Sequence, residues 1–219
     1  MFAVHAEILT QKCYREFMDR KQQIYCDMDG VLCNLHWAAG RRLYQYFSLT
    51  SEIISEQDFC SFFEDLTTVY GRSTTSEFNS NLAKHYGIAD RNLLLFAKVI
   101  PNAIRSVLGD DEEFWASLPW MAGGPSLWQT IKDYDPVVLS SPIYDGSKRG
   151  KLRWVKDNLG PDVKVILISQ KHKYAQEGDI LIDDFKKYMK KWTAAGGIGI
   201  LHKDSRSTIA HLNSLLNLS

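Results

Sequence analysis

The sequence predicts an α/β fold, with a parallel sheet that carries helices on both of its faces. Two observations lead to this prediction. In the second half of the 219-residue chain, apolar segments of strand length alternate with segments of helical period. In addition, three predicted strands end in polar residues, which are Asp27-x-Asp29, Ser140-Ser141 and Asp183-Asp184. A long stretch of helical character separates the first of these strands from the others.

The first half of the chain predicts a helix, a strand and then a helical insertion. Apolar residues recur at helical spacing over residues 6–21, and Gln23 to Cys26 reads as a strand. From residue 36 onward, aromatic and polar residues mix at helical periods, and no alternating strand pattern is visible. We therefore expect an α/β core formed by residues 1–35 and 125–219, with a helical cap formed by residues 36–124.

After Gly123-Gly124-Pro125 the pattern becomes regular. Two helix ends are marked by Gly160-Pro161 and Gly196-Gly197, which are typical stop signals. The predicted elements are helices over 127–134, 148–159, 186–195 and 205–216, and strands over 136–139, 163–168, 180–182 and 198–201.

Composition excludes several classes of protein. Lys+Arg and Asp+Glu both number 26, so the formal charge is zero and a stable nucleic-acid complex is not expected. The basic run 186–191 is interpreted as a solvated helix face. The longest apolar stretches, such as 163–168, are far too short to span a membrane. Four cysteines without CxxC spacing and no signal-peptide pattern at the start predict a cytoplasmic protein with reduced thiols.

The three polar strand ends predict a metal site. Each has an ordinary explanation on its own, because Asp-Gly is common in turns, Ser-Pro ends strands and Asp caps helices. Ligands of an open parallel sheet bind beyond the carboxyl ends of its strands, however, and the fold brings all three ends there. The four carboxylates would repel each other without a cation. An acidic, oxygen-rich cluster suits Mg²⁺.

These segments resemble the motifs of the haloacid dehalogenase superfamily of phosphatases. Asp27-Met28-Asp29-Gly30-Val31-Leu32 is similar to the first motif, Val137 to Ser140 to the second, and Ile180 to Asp184 to the fourth. Within the superfamily, the chain most resembles the 5′(3′)-deoxyribonucleotidases and their bacterial and phage relatives. The residues that carry this closer resemblance are Ser140-Ser141-Pro142-Ile143, Lys151-x-x-Trp154 and Gly178 to Asp184.

The resemblance implies a role for each polar residue. Asp27 would attack phosphorus and form an aspartyl-phosphate, and Asp29 would protonate the leaving group and later activate water. Mg²⁺ would be held by Asp27, by the Asp29 carbonyl and by Asp183 and Asp184, with Asp184 favoured as the direct ligand. The Ser140 hydroxyl and the neighbouring Ser141 segment would bind phosphoryl oxygens.

Lysines complete the implied phosphate site. Lys151 lies in the first turns of the helix that follows Ser140-Ser141, although a solvated lysine is the ordinary alternative. The lysine of the third motif is either Lys173 or Lys171. Lys173, ten residues before Asp183, has the spacing that the resemblance favours, and Lys171 is the alternative.

The insertion matches the position of a cap that closes over the site and recognises the leaving group. Its aromatic residues are candidates for stacking on a base, with ordinary packing in the core as the alternative. These candidates are Phe62, Phe63, Trp115 and Trp120. The phosphate chemistry would then belong to the core, and the choice of substrate to the insertion.

The resemblance implies a Mg²⁺-dependent phosphomonoesterase that acts on (deoxy)ribonucleoside monophosphates, a 5′-nucleotidase. Two alternatives stay open, namely a phosphatase of another small phosphoester and a non-catalytic module that binds phosphate or nucleotides. A third, removal of 3′-phosphates from the ends of nucleic acids, is not favoured by the neutral charge. Retention of Asp27, Asp29, Ser140 and Asp183-Asp184 argues against the non-catalytic module. The expected partner is a small-molecule nucleotide, without membrane contact, and a homodimer is an open alternative.

Overall fold

The structure is a computed structural model that describes residues 22–46, 55–70, 102 and 104–216. The helix predicted over residues 6–21 lies outside these residues. Within them, no helix combines the length and apolar character needed to cross a membrane.

The described chain contains a five-stranded sheet in which all paired strands are parallel, as predicted. Its strands are β1 (Ile24–Cys26), β2 (Val137–Ser140), β3 (Lys164–Leu167), β4 (Ile180–Asp183) and β5 (Ile198–Leu201). The sequence placed each of them within one residue of these bounds. The predicted α/β class is therefore confirmed.

The strand order is β3-β2-β1-β4-β5. From the central strand β1, the chain adds β2 and then β3 toward one edge of the sheet. It then crosses back and places β4 next to β1, toward the opposite edge. The order therefore reverses between β1 and β4, which opens a crevice beyond their carboxyl ends. Tyr25 pairs with Leu181 and Cys26 with Ile182, so both strands end at the same level.

The helices of the described chain are α1 (Leu35–Tyr46), α2 (Glu56–Tyr70), α3 (Glu112–Ala116), α4 (Gly124–Ile131), α5 (Asp145–Asn158), α6 (Lys186–Ala194) and α7 (Ser205–Leu216). A π-helical turn spans Ile104–Leu108, and 3₁₀ turns span Lys132–Tyr134 and Lys171–Tyr174. Helix α4 begins three residues before its predicted start, because Pro125 lies in its first turn, where proline is tolerated. Helix α5 also begins earlier, because the Ser147 hydroxyl accepts the Tyr144 N–H at 3.0 Å.

Alternate residues of the strands face opposite sides of the sheet and belong to two separate cores. Ile24 and Cys26 pack in one core with residues of α4, α5 and α7. Tyr25 packs in the other core, where Met189 and Trp192 of α6 cover the sheet. The apolar strand sequences are thus explained by burial on both faces.

The segment between β1 and β2 enters and leaves the core at one place. The Asn34 N–H donates to the Pro119 carbonyl at 2.9 Å, and the Met121 N–H donates to the Leu32 carbonyl at 2.7 Å. Every regular element described between these two points is helical. This arrangement is that of an insertion, although the division into core and cap at residues 36 and 124 stays a prediction.

The last helix of the insertion packs directly on the core. A Cβ atom at Gly150 of α5 would lie 2.6 Å from the Glu112 carbonyl oxygen and 3.0 Å from the Ala116 nitrogen of α3. Because both of these atoms belong to backbone, they cannot turn aside as a side chain would. Gly150 therefore permits the close approach of α3 to α5.

We expect Gly150→Ala to lower the free energy of unfolding by about 1–3 kcal/mol, the usual cost of overpacking, despite the better helix propensity of alanine. Leu152→Ala is the matched control on the same helix, because the Leu152 side chain is 48% exposed. This control should change the free energy of unfolding by about 0.5 kcal/mol or less. Urea denaturation of the two variants gives the comparison, and equal stability would contradict the packing argument.

Candidate active site

A tight turn after β1 presents the first acidic pair. The Met28 carbonyl accepts the N–H groups of Leu32 at 2.9 Å and Cys33 at 2.8 Å, which folds the chain back on itself. The Asp27 carboxylate accepts the Met28 N–H at 2.7 Å, so one of its oxygens is fixed by the turn itself. Asp27 is only 6% exposed.

Gly30 lets the fourth motif approach the first. Its φ of +72° lies in the left-handed region, where a side chain is strained. A Cβ atom at this position would also lie 2.8 Å from the Asp184 carboxyl carbon. The glycine is therefore required both for the turn and for the place that the Asp184 carboxylate occupies.

Lys171 joins the ends of β1 and β4. Its ammonium lies 2.7 Å from Asp27 Oδ2 and 2.6 Å from Asp183 Oδ2. The other Asp183 oxygen accepts the Phe185 N–H at 2.8 Å. The Lys171 side chain is buried, yet the two carboxylates raise the pKa of its ammonium against the effect of burial. Lys171 is therefore a fixed positive charge.

Lys151 joins the ends of β1 and β2. Its ammonium donates to Asp29 Oδ2 at 2.5 Å, to Ser140 Oγ at 2.9 Å and to the Ser141 carbonyl at 3.0 Å. These three bonds use all three of its protons. The Lys151 side chain is fully buried, and its ammonium lies 5.0 Å from the centre of the Trp115 ring.

The spacing and the charge of these carboxylates suit one divalent cation. Oxygens of Asp27, Asp183 and Asp184 lie within 4.8 Å of one another. Oxygens on opposite sides of a Mg²⁺ ion stand about 4 Å apart, so this spacing is close to that of a shared ion. When all are ionised, these carboxylates and Asp29 carry two more charges than Lys151 and Lys171 neutralise.

The raised pKa values of the aspartates indicate that the two lysines do not fully neutralise the site. Burial and then the neighbouring Asp27 raise the pKa of Asp183 to about 8 and that of Asp184 to about 7. Burial also raises the pKa of Asp29, while Lys151 acts in the opposite sense. Asp29 Oδ1 is buried and has no hydrogen-bond partner among the described residues. The residues present therefore fit a Mg²⁺ ion.

The structure brings together the predicted residues Asp27, Asp29, Ser140, Ser141, Lys151, Asp183 and Asp184. Of the two candidate lysines, Lys171 lies in the acidic cluster, although the spacing favoured Lys173. Lys173 is exposed to solvent, whereas Lys171 is buried in the acidic cluster. The 3₁₀ turn that carries both lysines sends residues two apart to different sides.

Three of the four predicted stacking residues are buried. Phe62 and Phe63 are 2% and 1% exposed and pack in the hydrophobic core. Trp115 is fully buried beneath Lys151, and its indole N–H donates to the Leu108 carbonyl at 2.8 Å. The half-buried Trp120 ring packs against Trp154 at 4.8 Å. Burial leaves Phe62, Phe63 and Trp115 no free ring face for a base.

One residue of this region was absent from the sequence prediction. Tyr188 of α6 lies between Lys171 and Ser141 and contacts both side chains. Nothing in the sequence distinguishes it from the other tyrosines, because it belongs to no motif and lies within a basic run of lysines.

Comparison with known proteins gives structural likeness only. No protein-family model and no curated protein matches the sequence. The solved structures that are similar to this chain include a haloacid dehalogenase-like hydrolase of Burkholderia xenovorans LB400, with 15% identity, a TM-score of 0.42, and coverage of 82% of this chain and 81% of that one. A hydrolase from Streptococcus pneumoniae TIGR4 has 16% identity and a TM-score of 0.48, with coverage of 91% and 100%. The defluorinating L-2-haloacid dehalogenase Rha0230 has 12% identity and a TM-score of 0.43, with coverage of 85% and 86%.

The raised pKa values of Asp183 and Asp184 predict how stability depends on pH. Their ordinary value is 3.8, so between about pH 4 and pH 8 the folded protein holds protons that the unfolded chain has released. The free energy of unfolding of the metal-free protein should therefore fall as pH rises through this window. Mg²⁺ binds the deprotonated carboxylates, and so should raise the melting temperature more at pH 8 than at pH 6.

Thermal unfolding with and without Mg²⁺ at the two pH values tests this prediction. Asp184→Asn should reduce both the fall in stability with pH and the gain from Mg²⁺. The control is Glu177→Gln, which removes an exposed carboxylate and should leave both effects unchanged. The same Mg²⁺ gain at pH 6 and pH 8 would contradict the assignment.

Proposed function

We propose that this protein is a Mg²⁺-dependent phosphomonoesterase of the haloacid dehalogenase type, which hydrolyses nucleoside monophosphates through an aspartyl-phosphate. The observation that carries the proposal is the position of Asp27. Its carboxylate lies at the end of the central strand, beside Lys171 and the Asp183-Asp184 pair. Asp29 follows two residues along the turn, and its carboxylate pairs with Lys151. A nucleophile, an acid–base group and cations for phosphate thus meet at one crevice.

In the first step an Asp27 oxygen attacks phosphorus, and the bond from phosphorus to the leaving oxygen breaks. Asp29 gives its proton to that oxygen, which leaves as an alcohol. The raised pKa of Asp29 favours this role, because a buried carboxyl keeps its proton closer to neutral pH. The Ser140 hydroxyl, which accepts from Lys151 and keeps its own proton, would donate to a phosphoryl oxygen. The two lysine ammonium groups would act as positive charges beside the phosphoryl group as its charge is redistributed.

In the second step a water molecule attacks phosphorus, and the bond between phosphorus and the Asp27 oxygen breaks. Asp29, now ionised, takes the proton of this water, and inorganic phosphate leaves. Two easier displacements replace one difficult displacement. Both steps use the same pair of residues in opposite senses, so neither Asp27 nor Asp29 is consumed.

Asp27, Asp183 and Asp184 would hold the Mg²⁺ ion. Asp184 is favoured as a direct ligand because both oxygens of Asp183 already accept hydrogen bonds, from Lys171 and from the Phe185 N–H. When bound, the ion supplies the positive charge that allows an anionic carboxylate to approach an anionic phosphate.

The nucleotide preference is supported by the resemblance of Ser140 to Ile143, of Lys151-x-x-Trp154 and of Gly178 to Asp184 to the deoxyribonucleotidases. A cytoplasmic location is supported by the thiols of Cys26, Cys33 and Cys60, which are buried and unpaired.

Hydrolysis of a panel of phosphomonoesters tests the function. We expect release of phosphate from nucleoside monophosphates to require Mg²⁺, to stop with EDTA, and to exceed the rate with p-nitrophenyl phosphate. Asp27→Asn should lower the rate by several orders of magnitude while the circular dichroism spectrum stays unchanged. Retention of more than a few per cent of the rate would exclude Asp27 as the nucleophile. Equal rates on all esters would exclude the nucleotide preference.

The two candidate lysines give a matched pair of variants. Lys171→Met removes a buried ammonium beside Asp27, and should lower kcat/KM by about 100-fold or more, as expected for loss of a preorganised cation. Lys173→Met removes an exposed charge two residues away and should stay within about twofold of the unmodified protein. Steady-state kinetics of both variants decide the matter. If Lys173→Met were the damaging change, the assignment of the third motif would be reversed.

A further inference from the structure

We propose that Tyr188 is a positioning residue of the phosphate site, which supports the Lys171 ammonium with its ring and fixes Ser141 with its hydroxyl. This inference rests on the proposed function for its kinetic test, but not for its structural test. Tyr188 lies one helical turn after Asp184, near the start of α6. The Lys171 ammonium lies 4.7 Å from the centre of the Tyr188 ring, and the Tyr188 hydroxyl lies 3.0 Å from Ser141 Oγ.

The ring completes the surroundings of the Lys171 ammonium. Among the described residues, the oxygens that this group contacts belong to Asp27 and Asp183. These two contacts use two of the three ammonium protons. The third proton is buried and needs an interaction other than these two carboxylates. A π-face attracts a cation without adding a further negative charge. The Tyr188 ring therefore stabilises the ammonium while leaving the balance of charge in the acidic cluster unchanged.

The hydroxyl of Tyr188 fixes the loop after β2. The Ser141 hydroxyl lies 3.2 Å from the Ile168 carbonyl, to which it donates its only proton. The Tyr188 O–H is then the donor to Ser141. This bond matters for the second lysine as well, because the Ser141 carbonyl accepts from Lys151. Tyr188 thus contacts Lys171 directly and holds in place an acceptor of Lys151.

The position of Tyr188 is itself fixed by its own helix. Its N–H donates to the Phe185 carbonyl at 2.9 Å, and its ring packs edge-on against the Phe185 ring at 5.5 Å. Phe185 is 37% exposed and follows Asp184 directly. The position of the tyrosine is therefore tied to the segment that carries Asp184. Through its ring and its hydroxyl it links this segment to Lys171 and Ser141.

Two variants separate the ring from the hydroxyl. Tyr188→Phe keeps the ring and loses the bond to Ser141, so we expect KM to rise by about 3- to 10-fold with kcat nearly unchanged. Tyr188→Met keeps an apolar side chain but loses both contacts, so we expect kcat to fall by about 10-fold or more as well. Tyr46→Met is the control, because Tyr46 is 63% exposed on α1. It should behave as the unmodified protein in both constants.

A second measurement does not depend on catalysis. Acylation of lysines by acetic anhydride, read by peptide mass spectrometry, reports how accessible the Lys171 ammonium is, with Lys173 as an exposed internal reference. Lys171 should be protected in the unmodified protein and in Tyr188→Phe, and should react at least several-fold faster in Tyr188→Met. If no phosphomonoester is hydrolysed, the proposed function fails, and the labelling alone decides the role of Tyr188.

Three results would overturn the role of Tyr188. The first is a Tyr188→Met protein with normal kinetics and a protected Lys171. The second is a Tyr188→Phe protein as damaged as Tyr188→Met, since the ring would then contribute nothing. The third applies if Tyr188→Met does not fold, when Tyr188→Phe decides by itself. A KM of Tyr188→Phe within about twofold of the unmodified protein would then overturn the role.

Discussion

Mutual repulsion among four carboxylates at the carboxyl end of the sheet is the constraint on which the site depends. Asp27, Asp29, Asp183 and Asp184 are brought there by two neighbouring strands and a tight turn, and burial makes their negative charges costly. The two lysine ammonium groups and, as proposed, a Mg²⁺ ion offset this cost. The features around the crevice, from Gly30 to the aromatic rings, can be understood as means of holding these cations in place.

Each lysine is held by the same combination of oxygens and an aromatic ring, supplied from a different part of the chain. Lys151 lies over Trp115 of α3, whereas Lys171 lies over Tyr188 of α6. Trp115 belongs to the core on one face of the sheet, and Tyr188 packs against the core on the other face. The cations therefore approach the carboxylates from two sides, and helices on both faces of the sheet are needed to fix one site.

The sequence was sufficient for the sheet and for most polar residues, because these depend on local patterns. An apolar segment that ends in Asp or Ser identifies both a strand and its carboxyl end, and parallel pairing brings such ends together. The choice between Lys171 and Lys173 depends instead on which way a short 3₁₀ turn points. Trp115 and Tyr188 depend on packing between distant segments, so periodicity could not distinguish them from ordinary core or surface aromatic residues.

The packing of Trp115 changes the expected division of labour between core and insertion. The sequence suggested that the core alone would carry the phosphate chemistry and that the insertion would only choose the substrate. Trp115 lies in the insertion, yet its ring supports Lys151, and α3 approaches Gly150 of α5 closely enough to exclude a Cβ atom. A chain cut at residues 36 and 124 would lose this support and leave a buried ammonium without one of its contacts. The segment from the π-helical turn to Trp120 therefore acts with the core, and any exchange of the cap has to leave it in place.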